Sequence, residues 1–173
     1  MNDIALGRQS LSVLWQEHCC AEFVLKDADA ALATMVEEPY VLCIPSGTGG
    51  AGRAEVRDFY ARRFLPGIPS DFVLSPLSQV FGSERLVEEF VVRFTHTLAM
   101  DWMLPDVPPT GRRVEFALVA VVGFRDGKIS HEHIHWDQTA VLAQLGVASH
   151  PVSRAGVTSA ARLLNLSQAF GVC

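Results

Sequence analysis

Three successive segments rich in apolar and β-branched residues constrain this chain most: 87–98 (VEEFVVRFTHTL), 111–124 (GRRVEFALVAVVGF) and 128–137 (KISHEHIHWD). Each is long enough for a central strand, and apolar and polar residues alternate along it with the two-residue period of a sheet half-buried on one side. The last two are separated only by Arg125-Asp126-Gly127-Lys128, where Asp-Gly supplies the positive φ angles of a tight hairpin. A turn-rich connector, 104–111, precedes the second. These strands therefore pair antiparallel, one after the other.

The N-terminal half reads differently. Leu11, Leu14, Trp15, His18, Cys19, Glu22 and Phe23 recur at helical spacing over 8–26. Asp27 is placed to cap a second short helix, 29–36, which Pro39 should end. A strand over 40–44, a helix over 53–64 with Val56, Phe59, Tyr60 and Phe64 on one side, and a strand over 71–81 follow. Asp137 caps a closing helix, 138–145, which Gly146 stops. Helices first and an antiparallel run later define an α+β class. A strongly twisted sheet of this kind wraps around its helices and leaves a conical pocket between them. The expectation is one cone domain over 1–146 and a tail over 147–173 with one short helix, 158–170.

Composition narrows the function. A net charge of −5 with no basic run argues against nucleic acid. No apolar run is long enough to span a bilayer, and the first residues lack the basic and apolar regions of a signal peptide, so a cytoplasmic location is expected. The four cysteines fit no zinc spacing and read as thiols. The glycine-rich 45–52 lacks the Gly-Lys-Ser/Thr of a phosphate loop and reads as a mobile loop. No nucleophile elbow is present.

The chemistry-bearing residues fall in the strands. Alternation puts Glu132 on the more apolar face of the last strand, beside Ile134 and Trp136, where lost hydration raises a carboxyl pKa toward that of a general base. His96 follows Phe90, Val92 and Phe94 on one face, with Asp101 and Trp102 just downstream; a histidine and a carboxylate in reach form an acid–base couple. Phe94, Trp102, Trp136 and Tyr40 are expected to shape the pocket, and His18 to project into it from the first helix. Glu88 and Glu89 point to opposite faces, so one is inward. His131, His133 and His135 line the other face of the last strand. That spacing can hold zinc, but the ends of the stripe stand far apart, and no metal ligand is assigned.

The pieces Thr95-His96-Thr97, 108–115 (PPTGRRVE) and 124–129 (FRDGKI), with Trp136-Asp137-Gln138 and 142–146 (LAQLG), resemble the SnoaL-like polyketide cyclase branch of the nuclear-transport-factor-2-like superfamily over about residues 8–146. The resemblance implies an α+β cone, a curved, largely antiparallel sheet around the N-terminal helices, and a homodimer that pairs sheets. It also implies cofactor-free aldol cyclisation of an aromatic polyketide. Counted from Gly127, the aspartate that serves as acid/base in those cyclases falls on Ile134; Trp136-Asp137 restores the motif only with a two-residue shift. The combined expectation is a small apolar carbonyl compound in the cone, with Glu132 or Asp101 as base and His96 as the partner of the enolate oxygen. A non-catalytic binding or dimerisation module and a cofactor-free hydrolase are the alternatives.

Overall fold

The computed structural model describes residues 2–147, with side chains from residue 11 onward. The expected tail and its helix lie outside the described residues. Helix α1 (Asn2–Cys20) turns its Trp15 and His18 inward and runs directly into a widened π turn, Ala21–Leu25. Lys26 closes that turn in the left-handed conformation, φ 52°. The Asp27 carboxylate then accepts the Asp29 and Ala30 amides at 2.9 and 3.0 Å, starting α2 (Ala28–Ala33) as an N-cap should.

The second helix is shorter than expected, because the chain enters β1 (Met35–Cys43) before Pro39 is reached. Pro39 lies within this strand, where the register with β6 (Lys128–Trp136) slips between Met35↔Ile129 and Tyr40↔His131. An irregular stretch of strand is where a residue without an N–H is tolerated.

The glycine-rich segment is not a mobile loop. Thr48–Ala51 form β2, hydrogen-bonded antiparallel to β1. Its glycines answer to packing: a Cβ at Gly50 would stand 2.6–2.8 Å from the backbone of Glu55 and Val56 in α3 (Arg53–Phe59). Only a residue without a side chain lets the helix approach the strand so closely. Helix α3 widens into a second π turn, Tyr60–Phe64.

Strands β3 (Val73–Phe81), β4 (Arg85–Thr95) and β5 (Arg113–Arg125) complete one curved sheet in the order β2-β1-β6-β5-β4-β3, antiparallel except for β1 and β6. Asp126 and Gly127 have φ of 53° and 71°, the paired positive angles of a type I′ hairpin. Helix α4 (Gln138–Leu145) starts on the Asp137 carboxylate, which accepts the Ala140 amide at 2.9 Å. Gly146 ends it in the left-handed conformation. The core fills the hollow of the sheet with Phe59, Tyr60, Phe64, Phe94, Phe116, Trp102 and Trp136, packed edge to face or stacked.

Candidate active site

Between the sheet, α1, α3 and the two π turns lies a cavity of about 60 Å³. Its walls are apolar, including Phe59, Phe64, Phe72, Phe90, Trp102, Leu118 and Ile134, with Glu22, Tyr60 and Glu132 as the polar exceptions. Glu132 is there because β6 alternates: it and Ile134 face inward, and His131 and His133 face out. Glu22 and Tyr60 arrive from the two π turns. An extra residue in a helical turn rotates the following side chains, and such turns are frequent at functional sites.

One layer behind these walls, His18 joins the three. Its Nε2 lies 3.1 Å from Glu132 Oε1 and 3.3 Å from Glu22 Oε1, one turn further along the helix. The Tyr60 hydroxyl donates to Glu132 Oε1 at 2.9 Å and stands 3.3 Å from His18 Nε2. On its far side, His18 Nδ1 is 2.7 Å from Thr34 Oγ1. The Thr34 hydroxyl commits its proton to the Ala31 carbonyl at 2.7 Å, so it accepts from Nδ1, and Nδ1 carries a hydrogen. Nε2 faces two carboxylates and is served best by a hydrogen as well. The ring is an imidazolium.

Electrostatics agree with that assignment. Burial alone would lower the His18 pKa, but Glu22 and Glu132 outweigh it and raise the value to about 10. Glu22 is pushed above the ordinary carboxyl range, by burial first and by the neighbouring Glu132, although His18 opposes the rise. The Tyr60 phenol is raised well above its usual value by burial and by both carboxylates. His18, Glu22 and Glu132 are all at most 4% exposed.

Trp15 covers the cluster, its ring stacked on His18 at 5.6 Å. Its indole N–H donates to Glu88 Oε2 at 2.5 Å, and Gln79 donates to Glu88 Oε1 at 2.6 Å. Glu88 is therefore the inward member of the Glu88–Glu89 pair, and burial raises its pKa. Outside Trp15, an open groove of about 960 Å³ runs between α1 and β3. Trp15, Cys19, Phe23, Phe72, Leu74 and Phe90 line both the groove and the cavity, so the two adjoin.

The residues singled out from sequence are distributed unevenly around this site. Glu132 and Trp102 line the cavity, and His18 contacts the wall residues. Phe94 is one layer back, stacked on Phe72, and Trp136 packs edge to face on Trp102. His96 is fully buried but stands away from the cavity. Its Nδ1 is 3.3 Å from Thr110 Oγ1, its backbone pairs with Gly111 and Arg112, and burial lowers its pKa. Its Nε2 has no partner among the described residues. Asp101 is exposed. The expected trio of Glu132, His96 and Asp101 is thus not brought together: His96 sits at the far end of the β4–β5 pairing beside the 104–111 connector, and Asp101 lies beyond it at the surface. Tyr40 stands on the outer face, stacked on His131 at 5.0 Å with its hydroxyl 2.9 Å from His133 Nε2; the strand register assigns Val41 and Cys43 to the cavity instead. Glu22, Tyr60 and Thr34 were not singled out. The available sign was polar residues on otherwise apolar helix faces, with His18 and Glu22 at i,i+4 spacing.

A curved sheet closed over helices, with an apolar hollow holding a few convergent polar groups, defines a small-molecule-binding cone. The chain belongs to the SnoaL-like polyketide cyclase family, whose profile matches residues 20–145. Among solved structures it is similar to TsrD from Streptomyces laurentii, at 19% identity, with a TM-score of 0.64, covering 82% of this chain and 98% of that one. AclR, a candidate hydroxylase from Streptomyces galilaeus, is similar at 20% identity and a TM-score of 0.62, over 82% and 98% of the two chains. A candidate polyketide cyclase from Xanthomonas campestris pv. campestris is similar at 24% identity and a TM-score of 0.60, over 80% and 98%. At these identities the likeness establishes the nuclear-transport-factor-2-like fold alone. No curated protein matches the sequence. No helix among the described residues is long and apolar enough to cross a membrane.

Proposed function

We propose that the cone binds an apolar, carbonyl-bearing molecule and transfers a proton next to the carbonyl, leading to aldol-type cyclisation or isomerisation. The observation that carries this reading is Glu132, buried in an apolar wall with Tyr60 and His18 on the same oxygen. Oε1 is held by those two donors, which leaves Oε2 to take the proton from the carbon next to the carbonyl. Once Glu132 is protonated, the Tyr60 hydroxyl turns its hydrogen to the oxygen as enolate charge develops, while the His18 imidazolium, one layer back with both N–H groups engaged, contributes its positive charge. Donors fixed in a dry site need little reorganisation, which is where such stabilisation is strongest.

A 60 Å³ cavity is smaller than a typical ligand pocket of roughly 300–1,000 Å³. A substrate of polyketide size therefore lies mainly in the adjoining groove and reaches the cluster when Trp15 and Phe23 give way. Family membership favours a cyclisation among the possible proton transfers. A second copy of the chain would pair on the outer face of the sheet, where Tyr40, Val80 and Val87 are exposed.

A crystal structure with a bound aromatic β-dicarbonyl compound tests the reading. The expected complex has the carbonyl oxygen within hydrogen-bond distance of Tyr60 and the acidic carbon facing Glu132. A ligand held wholly by other residues overturns it.

A further inference from the structure

We propose that His18, Glu22 and Glu132 form a binding site for one divalent first-row transition-metal ion. Three features of the cluster carry this. One nitrogen and two carboxylate oxygens, all buried, lie within 4.8 Å of one another. The separations from Nε2 to the two carboxylates, 3.3 and 3.1 Å, match the roughly 3.0–3.4 Å between ligand atoms that each sit about 2.1 Å from a tetrahedral or octahedral ion.

The second feature is what holds the histidine. Metal-binding imidazoles usually donate their other N–H to a fixed acceptor, which sets the tautomer and the ring plane. Thr34 does this for Nδ1 and is itself locked by the Ala31 carbonyl, so Nε2 is aimed at the carboxylates. The third feature is charge. Two buried carboxylates meet one imidazole, and none of the cavity's lining residues is a lysine or arginine. A divalent ion replacing the proton on Nε2 would neutralise both carboxylates, which burial otherwise penalises. One nitrogen with two hard oxygens suits manganese, iron, cobalt or zinc better than copper(I), which prefers thiolates. On the outer face, by contrast, His131 and His133 are engaged with Tyr40 and with each other's rings.

The site uses Glu132 and His18, the groups of the proton-transfer reading, but it is argued from their geometry and does not rest on that reading. Titration of the metal-free protein with Co²⁺, followed by visible absorption and calorimetry, tests it. The expected result is one Co²⁺ per chain, with a d–d band that excess Zn²⁺ bleaches. Glu22→Gln and Glu132→Gln, which keep side-chain shape, should each weaken binding about tenfold or more, while His133→Gln on the outer stripe leaves it unchanged. Absence of stoichiometric Co²⁺ in the unaltered protein overturns the site. So does a band that survives both Gln variants or disappears with His133→Gln. Carbonyl-ligand binding measured on the metal-free protein separates failure of this site from failure of the proton-transfer reading.

Discussion

At the level of single residues, His18 holds the site together. It is the one basic group among three buried acidic side chains, Glu22, Glu132 and Tyr60. Its folded pKa of about 10 lies above the unfolded 6.5, so the folded state holds this proton more tightly. The stabilisation is present in full below pH 6.5 and is lost as pH rises from there through about 10. The buried Glu22 acts with the same sign from the ordinary carboxyl range upward, since its folded pKa is raised too. Denaturant unfolding of the metal-free protein at a series of pH values should show stability declining between pH 6.5 and 10. In His18→Gln that decline should flatten; parallel curves for the two proteins would show that His18 is not held as an imidazolium. Cys19 and Cys43 are also pushed up by burial, so both proteins lose stability at the alkaline extreme.

At the level of elements, two features bring the cluster's side chains together, and they differ in how visible they are in the sequence. Strand alternation was legible: Glu132 inward with Ile134, and the histidines outward, follow from the two-residue period of 128–137. The π turns were not. Periodicity over 8–26 and 53–64 reads as plain helix, and a one-residue widening leaves no mark in composition, yet it sets where Glu22 and Tyr60 point. The glycine-rich segment was misread for a related reason. Glycine marks both loops and close approaches, and only the position of α3 tells which. Gly50→Ala should therefore cost about 1–3 kcal/mol through overpacking against the α3 backbone, measured as a lower denaturant midpoint with unchanged slope. A neutral result would mean that the strand and helix are not in close contact.

For the whole molecule, the class of fold was legible because helices and antiparallel strands segregate along the chain, and because the Asp126-Gly127 turn fixes the β5–β6 pairing. The convergence of side chains was only half legible. His18 and Glu132 are 114 positions apart in number, and nothing local signals that α1 lies across β6; the three-dimensional wrap of the sheet does that. His96 shows the converse. Its strand pattern looked like a pocket wall, but it anchors the connector before β5 through Thr110 and the Gly111 and Arg112 backbone. The sheet's curvature thus decides which polar residue meets the hollow and which is buried for structure.

The most direct measurement is exchange of the acidic C–H of an aromatic β-dicarbonyl compound in D₂O, followed by proton NMR at catalytic protein concentration. The protein should accelerate exchange, Glu132→Gln should lower the rate by roughly 100-fold or more, and His96→Gln should leave most of it. Exchange that is unaffected by Glu132→Gln, or that falls with His96→Gln instead, would contradict the placement of proton transfer at the His18–Glu22–Tyr60–Glu132 cluster.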